Sequence, residues 1–259
     1  MGPAASAATQ RGKIATRLDR RAVLGGALAA SAAATGYLAI RPPFGLWPSY
    51  AELTADYHTG TGEQREVQFS RSISLDLNTR TSVAVKSRAP GAARIELISG
   101  ELAASTAGTA SLLTVIAANG RVVAEKARFN LRCDESKAMV SCLEGAIKVE
   151  ALGSTIGLAA GQQIAYGTRE VGPVRTVDTG AVSAWQQGML IFESTPVFRI
   201  IEEVNRYRSG RIILMDAAVG QRLLSARFQI SRTDEIIVQL VHIFGVRATA
   251  FPGGIVILT

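Results

Sequence analysis

The sequence predicts a mainly β protein. A solenoid- or sandwich-like region is followed by a small α+β domain of βαββαβ type and preceded by one N-terminal transmembrane helix. Three observations predict this: an uncharged run at 22–40, a series of short alternating segments between Glu52 and Asp178, and two helical apolar periods after Trp185. With 259 residues, 47% of them hydrophobic and 19% charged, the chain can bury a core, which excludes a disordered scaffold.

The order of elements begins with charge. Arg11, Lys13, Arg17, Arg20 and Arg21 stand against Asp19 alone, so much of the net charge of +7 sits in residues 1–21. The rest is nearly balanced and aromatics are only 6%, so neither the electrostatic footprint nor the stacking platform of a nucleic-acid binder is present. Residues 22–40 at helical rise cover about 28 Å, close to the thickness of a bilayer core. The flanking arginines place residues 1–21 in the cytoplasm and everything after Arg41 outside. That topology is a single pass of a bacterial inner membrane with the bulk periplasmic. Arg20-Arg21-Ala22-Val23-Leu24 also fits a twin-arginine signal with small-residue cleavage sites, and anchor and cleaved signal both remain open. Residues 41–56 read as a linker.

Residues 57–184 read as the β-rich domain. VQF (67–69), ISLDL (73–77), SVAVK (82–86), RIELI (94–98) and SLLTVIA (111–117) alternate or are β-branched. Asn78-Thr79, Pro90-Gly91, Ser99-Gly100 and Asn119-Gly120 separate them as turns. RFNLRC (128–133), AMVSCLEG (138–145), AIKVEAL (146–152), TIGLAAG (155–161) and QQIAY (162–166) continue the series.

Residues 185–259 change texture. LIFES (190–194) is a strand, Thr195 a cap, and Val197, Ile200, Ile201 and Val204 make one apolar helical face. RIILM (211–215) and LLSARFQI (223–230) are strands. Thr233 caps a second helix with Ile236, Ile237, Leu240, Val241 and Phe244 inward and Gly245 as its stop. VRATA (246–250) and GIVIL (254–258) form a hairpin.

Two cysteines and two histidines are too few for a zinc cluster, and no nucleophile elbow or paired carboxylates stand in context. The sequence therefore predicts no catalytic residue, no metal and no cofactor. His58 before Thr59-Gly60-Thr61-Gly62 leads into a strand, so that loop reads as a surface turn, and His242 reads as a packed or rim residue. Glu202-Glu203 reads as a solvated face. Cys133 and Cys142 flank Asp134–Lys137. A hairpin centred between 137 and 138 would set them opposite each other, with Cβ atoms about 4.5–5.5 Å apart. A disulfide in the oxidising compartment and two buried free thiols both fit. Trp185 fits a plug between the two subdomains or a partner contact. Arg206 and Arg208 fit an acidic partner or the negative end of a helix. The strands 190–194, 211–215 and 223–230 are candidate edges for pairing with a partner.

The chain resembles the FecR family over roughly Tyr57 to Leu258. The resemblance rests on Leu77-Asn78, Arg94-Ile95-Glu96-Leu97 with Gly100-Glu101, Leu143-Glu144-Gly145, Ala160-Gly161-Gln162-Gln163, Ala184-Trp185 with Gly188, Phe192-Glu193-Ser194-Thr195-Pro196 and Val204-Asn205-Arg206-Tyr207. It implies a membrane-bound regulator of an extracytoplasmic-function sigma factor, an anti-sigma factor and not an enzyme. Its periplasmic part would receive the signal of a TonB-dependent outer-membrane receptor in ferric-siderophore uptake. The last 70 or so residues resemble the short N-terminal domain shared by secretins and TonB-dependent receptors. An exported envelope scaffold or secretin accessory is the alternative. Family members carry a folded cytoplasmic domain with tryptophans. Met1–Arg21 has no tryptophan and little apolar surface, so direct sigma-factor contact by these residues is not expected. Some relatives cleave themselves at a Gly-Thr bond before a strand like RFNL. Lys126-Ala127 stands there, and without a hydroxyl no cleavage is expected.

Overall fold

In the computed structural model, which describes residues 50–259 apart from 90, 108–111 and 135, a short helix α1 (Tyr50–Leu53) leads into a sheet of eleven strands. These are β1 (Tyr57–His58), β2 (Arg65–Ser70), β3 (Ile73–Leu77), β4 (Ser82–Ala89), β5 (Ala92–Thr106), β6 (Leu112–Ala117), β7 (Gly120–Asp134), β8 (Lys137–Ala151), β9 (Ser154–Ala159), β10 (Gln162–Tyr166) and β11 (Arg175–Thr176). The expected membrane run at 22–40, with residues 1–21 and most of the linker, lies outside the described residues. Among the described residues no helix is long and apolar enough to cross a membrane.

Three strands of fifteen residues organise the sheet, where the sequence pattern shows shorter pieces. The first half of β5 pairs β4 and, in parallel, β6; its second half pairs β3 and β7. The change of partners comes at Gly100, whose φ is +90°. Strand β8 makes a similar change at Gly145, φ +76°, opposite a bulge in β7 between Ala124 and Ala127. Positive φ is open to glycine at little cost, so each strand bends there without ending. The sheet thereby folds back over one apolar core that includes Leu75, Ile95, Leu102, Val115, Phe129, Leu131, Val140 and Ile164. Ala127 is buried beside the β7 bulge.

The β7–β8 turn corrects one expectation. Asp134 pairs with Lys137 and Cys133 with Ala138, so the hairpin is centred two residues earlier than the spacing suggested. Cys142 faces Phe129 instead. The four strand residues from Ala138 to Cys142 span about 13 Å, beyond disulfide reach. Both thiols are free and buried, and burial pushes their pKa values up. Intact mass is therefore expected to be the same with and without reductant, and alkylation to label both cysteines only after unfolding. The same measurement should show one polypeptide with no fragment beginning at Ala127. A reductant-dependent shift of two mass units would contradict the register.

A connection holding α2 (Thr179–Ser183) and a 3₁₀ turn at 184–187 leads to the α+β part. Strand β12 (Met189–Pro196) is followed by α3 (Val197–Arg206), β13 (Ile212–Leu214), α4 (Ala217–Gln221), β14 (Leu223–Gln229), α5 (Glu235–Phe244), β15 (Ala248–Phe251) and β16 (Ile255–Leu258). Strands β12 and β14 pair antiparallel. β13 pairs β16 in parallel, and β15 pairs β16 antiparallel. The inward face of α3 is the expected one: Val197, Ile200, Ile201 and Val204 are buried. In α5, Ile236 and Leu240 are buried, whereas Val241 is exposed and Val238 is 69% exposed. The helix is apolar on more than its packed face.

Neither threonine cap forms. Thr195 pairs with Leu224 inside β12, and its hydroxyl donates to the Glu193 carbonyl at 3.1 Å. The ladder outcompetes the cap, and Pro196 opens α3 with no side-chain bond. Asp234, not Thr233, precedes α5. Helix α4 has no apolar period, but Asp216 caps it by accepting from the Ala218 and Val219 amides at 2.8 and 3.1 Å. Residues 51–259 pack as one unit.

Candidate functional site

The β-rich region and the α+β part meet around one buried carboxylate. Glu101 sits where β5 has just bent at Gly100, and its residue is 7% exposed. Its Oε2 accepts from Asn78 Nδ2 at 2.9 Å and from Arg206 Nη1 at 2.8 Å, while Oε1 accepts from Asn130 Nδ2 at 2.9 Å. Asn78 lies just after β3 and Asn130 within β7; Arg206 ends α3. Its main chain is fixed too: the Thr81 hydroxyl accepts from the Glu101 amide and donates to the Glu101 carbonyl, both at 3.0 Å.

A second ring of contacts closes around the first. Asn78 Nδ2 also donates to the Tyr207 hydroxyl at 2.7 Å, and Trp185 Nε1 donates to Asn130 Oδ1 at 3.1 Å. Gln64 Nε2 reaches the Trp185 carbonyl at 2.9 Å and Asn78 Oδ1 at 3.2 Å. The Thr79 hydroxyl donates to the Arg206 carbonyl at 3.1 Å. Arg206 pairs with Glu203 as well, at 2.5 Å, and Arg132 pairs with Glu203 at 2.6 Å. The Thr59–Gly62 loop is the expected surface turn at Gly60, Thr61 and Gly62, but it also borders this seam: Thr59 is buried, and a Cβ on Gly62 would lie 3.2 Å from the Tyr207 carbonyl.

Burial pushes the Glu101 carboxyl up. The guanidinium groups of Arg206 and Arg132 and the Asn130 amide outweigh it, holding the carboxyl below its ordinary range. Burial would lower Arg206, but Glu101 and Glu203 raise it, so it stays charged. Burial and the two carboxylates raise Tyr207, keeping its hydroxyl protonated. The cluster is thus a fixed ion network with donors aimed at every face of one carboxylate. That arrangement locks two bodies together and leaves no free base.

Beside it opens a cleft of about 560 Å³ whose lining includes Glu101, Trp185, Tyr207, Met139, Gln163 and Phe192. Charges of both signs line it too, among them Arg132, Arg199, Asp134 and Glu202.

The sequence-predicted residues divide accordingly. Trp185 is buried, 4% exposed, at the junction, where its indole donates to Asn130. Arg206 lies in the last turn of α3, and its Nη1 pairs with Glu101 and Glu203 within the chain. Arg208 pairs with Asp234 and donates to the Gly254 carbonyl, again within the chain. Glu203 is half-buried in the network, so only Glu202 keeps the solvated role expected of both. Cys133 and Cys142 belong to the β core and stand apart from the junction. Gln64 and Arg132 carry no sequence signal; their partners lie 121 and 71 positions away. Asn78, Glu101, Asn130, Trp185, Arg206 and Tyr207, drawn from separate short motifs, converge here.

Residues 55–148 match the family model described as FecR protein. Two crystal structures of a candidate anti-sigma factor from Parabacteroides distasonis ATCC 8503 share the fold. One has a TM-score of 0.67 at 19% identity and covers 78% of this chain and 97% of the other. The second has a TM-score of 0.66 at 19% identity, with 78% and 96% covered. No curated protein matches. Residues 55–148, which supply Asn78, Glu101 and Asn130 to this junction, are the part of the chain that is similar to the FecR family.

Proposed function

We propose that the chain is a single-pass inner-membrane signal transducer that regulates an extracytoplasmic-function sigma factor. Its periplasmic part takes the signal from the signalling domain of a TonB-dependent outer-membrane receptor, in iron-siderophore uptake. It works by binding and not by catalysis. The family supports regulation of a sigma factor. The observation that carries the reading is the buried Glu101 network. A transducer must pass a binding event from one part of its exported half to the rest, and here the α+β part and the β-rich region are bolted by a carboxylate with three charged or amide donors. Buried polar networks of this kind fix one relative arrangement of the parts they join.

The test is transcription from the cognate receptor promoter, with receptor and siderophore present, in cells lacking the gene and in cells with it restored. A rise on deletion identifies an anti-sigma factor, and a fall identifies a chain needed for activation. An unchanged level would overturn the proposal and leave an envelope scaffold.

A further inference from the structure

We infer that the outer face and open edge of the β13–β16–β15 sheet form the docking platform for a strand of the partner protein, whose facing side chains are apolar and acidic. The inference rests on the receptor reading above and places its contact.

Side-chain direction follows from the ladder. Ile212, Val256 and Leu258 point into the core, 2%, 8% and 0% exposed. Their alternates therefore point out. Ile213 lies beside Ile257, which lies opposite Thr249, and Ile255 lies opposite Phe251. Arg211 and Met215 extend the β13 row, and Arg247 extends the β15 row. This face is apolar at its centre, with Ile213, Ile255, Phe251 and Met215 all exposed. A solvated sheet face normally carries polar residues. The β12–β14 sheet largely does so, with Ser225, Arg227 and Gln229 exposed and Leu223 the apolar residue at the end of their row.

The edge is also open. Arg247 and Thr259 exchange both backbone bonds, at 2.7 and 3.0 Å. Alternation in an antiparallel ladder then turns the N–H and C=O groups of Ala248 and Ala250 away from β16. Edges are usually blunted by proline, lysine or a bulge. Strand β15 has none of these, and its register with β16 is unbroken. The opposite edge is capped at Ile212: the Asn205 amide accepts from the Ile212 N–H at 2.8 Å and donates to its carbonyl at 2.9 Å. Of the three edges expected from the sequence, 211–215 is capped at Ile212, and 190–194 and 223–230 form a two-stranded sheet with each other. Among the described residues, 248–251 is the edge that borders the apolar and arginine-flanked face.

Charge selects the occupant. Arg211 and Arg247 stand at opposite corners of the face, and none of its named side chains is acidic. A second copy would bring two more arginines and no carboxylate. A partner strand with acidic residues flanking apolar ones satisfies both features.

The test uses the full-length chain in detergent, titrated calorimetrically with the purified signalling domain of the cognate receptor. Ala250→Pro removes an N–H that β16 does not use. The Arg211→Glu/Arg247→Glu pair reverses the corners and keeps the test open should the proline variant misfold. Each is expected to weaken binding about tenfold or more, as loss of one or two main-chain bonds or charge pairs would. Arg227→Glu on β14 should leave it unchanged. Wild-type binding that both β15-face variants retain would overturn the inference and leave the receptor reading standing. No binding by the wild type would overturn both. Self-association abolished by Ala250→Pro, or binding to phosphatidylglycerol vesicles abolished by the double reversal, would assign the face to a second copy or to lipid and overturn it as well.

Discussion

Replacing Glu101 by alanine is expected to cost about 3–5 kcal/mol, the range for removing one partner of a buried ion pair. It should also split one unfolding transition into two. The cost comes from what stays behind. Arg206 keeps Glu203 but loses its buried partner at 2.8 Å, and Asn78 and Asn130 each lose an acceptor. Denaturant titration of the full-length chain, with hydrogen exchange followed separately in β5 and α3, measures both effects. A single transition shifted by less than about 1 kcal/mol would show that burial elsewhere joins the two parts. Removing Arg206 in the Glu101→Ala background should then cost much less than removing it alone, since the pair acts as a unit.

The same carboxylate sets a pH dependence with a definite sign. Its folded-state pKa lies below the ordinary value of 4.5. Its stabilisation is therefore complete above that value and is lost as the pH falls from there through the lower folded-state value. Glu101→Gln cannot titrate. The stability gap between wild type and Glu101→Gln is expected to be constant near neutrality and to close in acid. A gap that widens in acid would contradict the assignment.

Much of this was legible in the sequence, and the exceptions share a cause. Periodicity located the α3 face to the residue, because an amphipathic helix writes its packing into adjacent positions. It divided β5, β7 and β8 into fragments, because Gly100, Gly145 and the β7 bulge interrupt alternation while the ladder runs on. Junction residues stood out as motifs, yet their partnership did not. Glu101 and Arg206 are 105 positions apart, and a charged residue read locally looks like a surface group. For that reason Arg206 and Trp185 each keep an outside partner among the two readings their local sequence allows. Ala248–Phe251 passed as an ordinary hairpin arm, because openness of an edge depends on the neighbour that is missing in space.

Gly100→Ala should be the other severe substitution, although it adds one methyl group. A Cβ at Gly100 would lie 2.5 Å from the Arg80 carbonyl oxygen, from Thr81 Cα and from Thr81 Oγ1, and the backbone there sits at φ +90°. Left-handed backbone costs a non-glycine residue about 1–2 kcal/mol, and forced overpacking typically adds about 1–3 kcal/mol. Gly161→Ala separates the two contributions. Its φ is +80° but nothing lies within 4 Å of the added carbon, so it should show the conformational part alone. The collision at Gly100 has a further consequence, because Thr81 Oγ1 clamps both the amide and the carbonyl of Glu101. Displacing Thr81 shifts the carboxylate away from Arg206, so Gly100→Ala already removes part of what Glu101→Ala removes. The double variant is expected to be less destabilised than the sum of the two singles. Simple additivity, measured in the same titrations, would mean that the bend in β5 and the ion network are independent.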